Sequence, residues 1–191
     1  MRLVVGITGA SGIQYGVALV RLLQETDVES HVAVTSSARR VMDAETEYAP
    51  ADVGEMADVV HNEHDIGASV ASGSFDFDGM VICPCSMKTL GYVANGIAEG
   101  LVPRVADVCL KEGRRLVLVP RESPMATTHL ENLVKADEAG AIVAPAAPGF
   151  YTQPDSVEEL VEVFAAKILD GFGVETDAME RWSGSDPTDD V

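Results

Sequence analysis

Basic residues are scarce in this chain. Its 191 residues include 13 lysines and arginines against 31 aspartates and glutamates, which gives a formal net charge of −18. Nucleic acids and anionic membranes bind proteins through basic surfaces, so this balance argues against both as partners. An acidic surface can lack any specific function, or it can be adapted to high salt, where screening weakens self-repulsion. We favour the second interpretation and expect a halophilic source.

Cysteines and long apolar runs are also few. The three cysteines, Cys83, Cys85 and Cys109, are an odd number, and no second cluster completes a zinc site, so reduced thiols are expected. No apolar run reaches the length of a membrane span and no signal peptide precedes the first strand, which predicts a soluble, cytoplasmic protein. The four histidines show no metal-ligand spacing, so no metal is expected.

The chain opens with the signals of a strand, a glycine turn and a helix. Residues 2–8 are mainly apolar and β-branched, Gly9-Ala10-Ser11-Gly12 follows, and an apolar helical period continues to Leu23. This is the opening unit of a doubly wound α/β sheet. The free N–H groups at such a helix start attract anions, most often phosphate. The glycine pattern matches neither common nucleotide fingerprint, so a tight turn with Ser11 as helix N-cap stays open.

Strand and helix signals alternate along the rest of the chain. Further strands are predicted at residues 31–35, 80–83, 115–119 and 141–144. Helices are expected to begin at Ser36-Ser37 and near Leu90, Val102, His129 and Ser156. The segment 50–73 is acidic and less periodic, with one short helix near residues 53–57.

This alternation predicts a single α/β domain with a doubly wound, mostly parallel sheet, flavodoxin-like or Rossmann-like. The domain should cover residues 1–182, followed by a loose acidic tail at 183–191. Polar residues follow four of the predicted strands, at 9–12, 36–37, 84–88 and 121–122. The carboxyl ends of parallel strands share one edge, where ligands bind, and this residue set suits a phosphorylated planar ligand.

Several short motifs are similar to those of one enzyme family. They are Thr8-Gly9-Ala10-Ser11-Gly12, Glu45-Thr46, Ala71-Ser72-Gly73-Ser74, Pro84-Cys85-Ser86-Met87-Lys88-Thr89, Ala106-Asp107-Val108-Cys109-Leu110-Lys111-Glu112, Val119-Pro120-Arg121-Glu122-Ser123-Pro124, Pro145-Ala146-Ala147-Pro148-Gly149-Phe150-Tyr151 and Arg181-Trp182. Through them the chain resembles the UbiX-type flavin prenyltransferases, within the flavoprotein decarboxylase superfamily, over almost its whole length. The resemblance implies a prenyltransferase, of a kind formerly described as an aromatic-acid carboxy-lyase. It would join a dimethylallyl group from dimethylallyl phosphate to N5 and C6 of reduced FMN, making the prenylated FMN that a partner UbiD-type decarboxylase needs.

The resemblance also implies site residues, motif by motif. Those expected to contact FMN are Gly9, Ala10, Ser11, Ser36, Cys85, Ser86, Met87, Lys88 and Arg121. Those expected to bind the prenyl phosphate are Arg104, Lys111, Tyr151 and Lys167. Those expected to take part in catalysis are Glu122, Glu45, Ser11 and Trp182. The family further implies a large homo-oligomer, up to a dodecamer, with active sites between subunits and no metal.

The cationic and acidic assignments each have a structural alternative. Cations complement phosphate, but Lys111 and Lys167 could instead pair with acids on their own helices. A carboxylate beside the flavin can take the proton that leaves C6 during ring closure. Glu122 stands at a strand end and suits this role, whereas Glu45 could be a solvated charge at a helix end.

The remaining assignments also have simpler explanations. Ser36 and Ser86 could only cap helices, and Cys85 could be a small buried hydrophobe. Trp182 could anchor the C-terminus rather than present its ring to an allylic cation.

Two other functions stay open. An FMN-dependent decarboxylase of cysteine derivatives would share the sheet and the flavin site. However, its catalytic histidine near the first helix and its P-x-M-N-x-x-M-W stretch are absent here. A carrier that delivers FMN without chemistry would not need Glu122 or the cationic residues, and this chain has both.

Overall fold

A single parallel sheet organises the protein. The computed structural model describes residues 1–178, and their six strands pair in parallel in the order β3-β2-β1-β4-β5-β6. The strands are β1 (Arg2–Ile7), β2 (Glu29–Val34), β3 (Val59–His61), β4 (Gly79–Cys85), β5 (Arg115–Pro120) and β6 (Ile142–Val143). The strand order changes direction between β1 and β4, which is where ligands bind in sheets of this kind. The predicted doubly wound α/β fold is confirmed.

Helices cover both faces of the sheet. They are α1 (Ile13–Gln24), α2 (Ser36–Glu45), α3 (Pro50–Met56), α4 (Met87–Ala94), α5 (Leu101–Glu112), α6 (Thr127–Glu138) and α7 (Val157–Asp170). Helix α1 packs against α2, α3 and α7, whereas α4 packs against α5 and α6. Within residues 1–178, none of the helices has the length and apolar character needed to cross a bilayer.

The two faces have separate apolar clusters. In β1, Leu3, Val5 and Ile7 belong to the cluster beneath α1 and α7, while Val4 belongs to the cluster beneath α4 and α5. These four side chains are at most 1% exposed, because the strand is covered on both sides. Each such burial contributes roughly 1.5–3 kcal/mol, so the positions of the strand ends are strongly fixed.

Several boundaries differ from the sequence prediction. Helix α2 begins at Ser36 as predicted, whereas α4 and α6 begin three and two residues earlier than expected, at Met87 and Thr127. The short helix near residues 53–57 is present as α3, but the strand β3 that follows it was not predicted. This strand has only three residues and lies at the edge of the sheet, with Val60 57% exposed. It therefore lacks the apolar run that marks the buried strands. The expected tail at 183–191 lies outside the described residues.

Two histidines that the sequence suggested were isolated meet at the β2–β3 pair. His31 Nδ1 lies 2.8 Å from His61 Nε2, and His31 Nε2 lies 3.0 Å from a carboxylate oxygen of Glu29. The His31 ring is 3% exposed and stacks on His61 with ring centroids 5.1 Å apart. Among residues 1–178 no group of three or more His, Cys, Asp or Glu side chains could hold a metal ion. The pair is therefore a hydrogen-bonded element of the sheet.

This pair predicts a loss of stability in mild acid. Burial, followed by the charge of His31, lowers the pKa of His61 below its usual value, while Asp65 acts in the opposite direction. Because the folded protein resists protonating His61, stability is retained at neutral pH. It declines as the pH falls below about 6.5, by at most about 1.4 kcal/mol per pH unit.

Chemical unfolding between pH 7.5 and pH 5.5 measures this slope. His61→Gln should flatten it, whereas His64→Gln, which changes an imidazole 78% exposed to solvent, should leave it as in the wild type. A slope that is equal in the wild type and in His61→Gln would contradict the prediction. Below this range Glu29 adds a second loss, since its hydrogen bond from Arg2, with a further one from His31, lowers its pKa to about 2.

Candidate functional site

The carboxyl ends of β1, β2, β4 and β5 bring most of the predicted site residues to one edge of the sheet. The residues at this edge are Gly9, Ala10, Ser11, Ser36, Cys85, Ser86, Met87, Lys88, Arg121 and Glu122. Each follows or ends a strand of the parallel sheet, so its position is set by the buried strand before it. Their binding and catalytic roles stay predictions, whereas their common location is a feature of the fold.

Thr8 connects the ends of β1 and β4. Its hydroxyl donates to the carbonyl of Pro84 at 2.7 Å and accepts from the backbone N–H of Ser86 at 2.8 Å. Thr8 is 1% exposed, so both bonds are shielded from water. Thr8 is not among the site residues expected from the sequence. The signal available for it was a hydroxyl residue directly after the apolar run of the first strand. It fixes the start of α4 against the glycine turn.

Gly9 brings the start of α2 against the same turn. A Cβ atom on Gly9 would lie 2.5 Å from the Cβ of Ser37, closer than real Cβ atoms approach each other. The absence of a side chain at Gly9 is therefore what allows α2 to begin beside β1. The start of α2 therefore contacts the turn at Gly9, and the residue that precedes α4, Ser86, bonds to the same turn at Thr8.

Glu45 holds the start of α1. Its Oε2 accepts from the backbone N–H of Gly12 at 2.7 Å and from that of Ile13 at 3.4 Å. Gly12, with φ of 91°, is the N-cap residue, so the alternative in which Ser11 caps this helix is wrong. Glu45 is thus no free helix-end charge, because it neutralises the positive end of the α1 dipole. It also lies directly beside Ser11, at the glycine turn.

Arg121 crosses the switch point of the sheet. Its Nε donates to the carbonyl of Ser11 at 2.9 Å, and its backbone N–H donates to the carbonyl of Cys85 at 3.4 Å. The side chain therefore runs from the end of β5 over the end of β4 to the glycine turn. The next residue, Glu122, is half-buried, and its Oε1 accepts from the backbone N–H of Ser123 at 2.9 Å.

The start of α4 has a neutral cap. The Ser86 hydroxyl accepts from the backbone N–H of Thr89 at 3.3 Å, so Ser86 does cap α4. Its contact with FMN stays a prediction. For α2 the cap is Thr35 rather than Ser36. The first turn of α4 has no acidic residue, and Lys88 is exposed there with its Nζ 5.5 Å from the centre of the Tyr92 ring.

The thiol of Cys85 is unsuited to nucleophilic chemistry. Cys85 is fully buried, and this burial raises its pKa to about 12. A thiolate is the reactive form of cysteine, so this side chain acts as a small apolar group. Cys83 and Cys109 are also buried free thiols, as the odd cysteine count suggested.

The four residues expected to bind the prenyl phosphate are not brought together within one chain. Arg104 and Lys111 are seven residues apart on one face of α5, with Arg104 in its first turn and Lys111 in its last. Two residues separate the end of α5 from the start of β5, so Lys111 lies at the amino edge of the sheet. It pairs there with Glu112, as the structural alternative proposed. Arg104 pairs with Asp107 at 2.7 Å and donates to the carbonyl of Ala71.

Lys167 and Tyr151 are also far apart. Lys167 is in the last turn of α7, and its partner is Asp170 at 3.6 Å rather than Glu162, which pairs with Arg21. Arg115 at the start of β5 donates to the carbonyl of Gly171, so this end of α7 is at the amino edge. Tyr151 belongs to the loop after β6, whose Ala146 bonds to Pro120 at the carboxyl edge. Trp182 lies outside the described residues.

A cleft of about 810 Å³ lies beside Glu45. It is lined by one face of α1, the segment 44–48 and the start of α7, including Gln14, Tyr48 and Val161. Glu45 therefore stands between this cleft and the glycine turn. The cleft mixes acidic, apolar and aromatic side chains and lies on the α1 face of the sheet.

Comparison with known proteins places this geometry among flavin enzymes. Residues 1–169 match a protein-family model described as Flavoprotein. The chain is 49% identical over 181 residues to the flavin prenyltransferase UbiX of Deinococcus radiodurans, covering 95% of this chain and 93% of the relative.

Two crystal structures are similar to the whole chain. One is a dodecameric FMN-dependent UbiX-like decarboxylase from Escherichia coli O157:H7, with 47% identity, a TM-score of 0.93 and coverage of 96% of this chain and 100% of that one. The other, AnUbiX (PadA1) in complex with FMN and dimethylallyl pyrophosphate, has 43% identity and a TM-score of 0.94, with coverage of 97% and 98%.

Proposed function

The chain belongs to the Flavoprotein family and within it to the UbiX-type flavin prenyltransferases, and we propose that it prenylates FMN at the carboxyl edge of its sheet. The observation that carries the proposal is the cluster of Gly9, Ser36, Ser86 and Arg121 around the β1–β4 switch point. The reaction transfers the dimethylallyl group of a prenyl phosphate to reduced FMN, which supplies the reacting N5 and C6.

The start of α4 is the best anchor for the FMN phosphate. Three helices, α1, α2 and α4, begin at this part of the edge. Carboxylates already accept from the first N–H groups of α1 and α2, whereas α4 has only the neutral Ser86 cap and Lys88 in its first turn. A phosphate at α4 would therefore meet a favourable helix dipole and a nearby cation. Gly9, which has no side chain, lets the start of α2 pack against the turn that bonds to Ser86.

Arg121, Glu122 and Glu45 have different roles: orienting the flavin, accepting a proton and holding the glycine turn. Arg121, held over the glycine turn, orients the flavin across the switch point. Glu122 follows it at the end of β5 and takes the proton that leaves C6. Glu45 has a positioning role in addition to its proposed acid–base role, because its carboxylate holds the glycine turn and the start of α1. The part assigned to Trp182 stays a prediction.

The phosphate anchor predicts a preference between flavins. FMN should bind more tightly than riboflavin, because riboflavin lacks the anionic group that α4 and Lys88 would hold. Titration followed by flavin fluorescence measures both dissociation constants. An expected preference of about tenfold or more corresponds to one or two charge-assisted hydrogen bonds. Equal affinity for the two flavins would contradict the anchor.

The donor site requires more than one subunit. The amino-edge cations Lys111 and Lys167 are separated from Glu122 by the length of β5, whose six residues span about 20 Å. A dimethylallyl phosphate is too short to bridge that distance. We therefore propose a homo-oligomer, with a dodecamer as in the E. coli relative, in which amino-edge cations of one subunit complete the carboxyl-edge site of another.

The proposed prenyltransferase activity also implies what happens to its product, prenylated FMN. We propose that prenylated FMN passes to a partner UbiD-type decarboxylase. We also propose a cytoplasmic location, which agrees with three buried free thiols.

One experiment tests the function directly. The protein is incubated anaerobically with reduced FMN and dimethylallyl phosphate, and the recovered flavin is analysed by mass and absorbance. We expect the mass of FMN plus one five-carbon prenyl unit. Unmodified FMN, recovered while both ligands are bound, would favour a flavin carrier. Release of carbon dioxide from a cysteine derivative would favour the decarboxylase alternative.

A further inference from the structure

Glu63 places a carboxylate at the carboxyl edge of the sheet, where we propose that FMN binds. This residue is not among the site residues expected from the sequence. It lies two residues beyond β3, and its Oε1 accepts from the backbone N–H of Ser36, the first residue of α2, at 2.6 Å. Its carbonyl accepts from the backbone N–H of Leu101, the first residue of α5, at 2.7 Å. The Glu63 side chain is only 15% exposed. Its backbone is thus bonded to the start of α5, while its carboxylate is bonded to the start of α2.

The surroundings of this carboxylate link it to the proposed flavin site. Ser36 is one of the residues expected to contact FMN, and its neighbour Ser37 lies against Gly9. The turn at Thr8–Gly9 bonds in turn to Ser86 at the start of α4, the proposed phosphate anchor. Among residues 1–178, Glu63 forms an ion pair with the exposed His64, whose Nε2 is 3.8 Å away.

We propose that Glu63 determines how strongly the site distinguishes FMN from a flavin without a phosphate. Its carboxylate occupies the first N–H group of α2 and adds a negative charge to the edge of the sheet at which α4 begins. The inference rests on the proposed function, because it assumes that FMN binds at this edge. It assigns Glu63 a role in affinity and none in the transfer of the prenyl group.

The effect should be confined to the phosphate. A phosphate that approaches α2 and α4 either displaces the Glu63 carboxylate from Ser36 or binds next to it. In both cases the penalty is electrostatic and falls on FMN alone. If Glu63 were only a helix cap, its loss would weaken α2 and affect FMN and riboflavin equally. The ratio of the two dissociation constants separates these roles.

The test uses two substitutions and a matched control in the full-length protein. Glu63→Gln removes the charge and keeps an oxygen that can accept from Ser36, whereas Glu63→Ala also frees that N–H group. Glu55→Gln removes the same charge from an exposed position on α3. The dissociation constants of FMN and riboflavin are measured for each variant by fluorescence titration, and the thermal midpoint is recorded to show that each variant is folded.

We expect Glu63→Gln to increase the preference for FMN over riboflavin by about tenfold, and Glu63→Ala to increase it at least as much. The affinity for riboflavin should stay within about twofold, and Glu55→Gln should behave as the wild type. A ratio unchanged in both Glu63 variants would overturn the inference while leaving the flavin site in place. A wild type that binds neither flavin would instead contradict the proposed function.

Discussion

Replacing Glu122 with glutamine is expected to slow prenyl transfer by a hundredfold or more while leaving FMN binding nearly unchanged. A glutamine keeps the size and hydrogen-bonding ability of the side chain but does not accept a proton as a carboxylate does. General acid–base groups contribute about 10²–10⁴-fold to a rate, so the loss should fall in this range. The structure favours this outcome, because Glu122 directly follows Arg121, which spans the switch point.

Anaerobic single-turnover kinetics, read by mass spectrometry, separate binding from chemistry in this variant. Glu122 is a cleaner target than Glu45. The Glu45 carboxylate also bonds the backbone at Gly12 and Ile13, so its loss would disturb the start of α1. The Glu122 carboxylate bonds only its neighbour Ser123 within the described residues. Glu131→Gln, on the exposed face of α6, is the matched control. Turnover of Glu122→Gln at the wild-type rate would remove the proton role.

The sheet and the main part of the site could be predicted because their signals are local. Arg2–Ile7 is an apolar strand that leads directly into the glycine turn, and the same succession of strand and polar loop recurs at β2, β4 and β5. Once the strands are known to be parallel, their carboxyl ends must share one edge. No side-chain contact was needed to reach that conclusion.

Features that depend on contacts distant in the sequence could not be found in this way. Glu45 bonds to the start of α1 from 33 residues away, so the sequence offered only the nearby Ser11 as an alternative cap, and that alternative is wrong. The short edge strand β3 lacks a periodic signal, and missing it concealed the His31–His61 pair and the position of Glu63. The histidine pair and the position of Glu63 both depend on where β3 lies beside β2.

The resemblance to the family supplied residue roles but no relative positions. Its motifs assign Lys111 and Lys167 to the same ligand as Arg104 and Tyr151, yet the chain places the two lysines at the opposite edge of the sheet. Motif matching carries no information on which subunit provides a side chain. If all four residues bind one prenyl phosphate, their separation within one chain means that they must come from more than one subunit.

Mixed oligomers of two impaired variants should recover activity at low donor concentration. Lys111→Ala removes a phosphate-pairing charge. Lys111 pairs with Glu112, whereas Arg104 bonds both Ala71 and Asp107, so the fold should tolerate the loss of Lys111 better than the loss of Arg104. Lys111→Ala should therefore raise the donor concentration needed for turnover. At low donor concentration, neither Lys111→Ala nor Glu122→Gln alone should form product efficiently.

When both variants are co-expressed in equal amounts, about a quarter of the sites should combine an intact Glu122 from one subunit with an intact Lys111 from another, and the rate should rise to about a quarter of the wild-type value. Homo-oligomers purified separately and mixed without subunit exchange should stay inactive, and co-expression of Glu122→Gln with Lys135→Ala, a change on α6, gives the reference for an unaffected donor site. If Lys111 and Glu122 of one chain served the same site, every mixed site would lack one of them. Co-expression would then restore nothing, and the proposal of a site between subunits would be wrong.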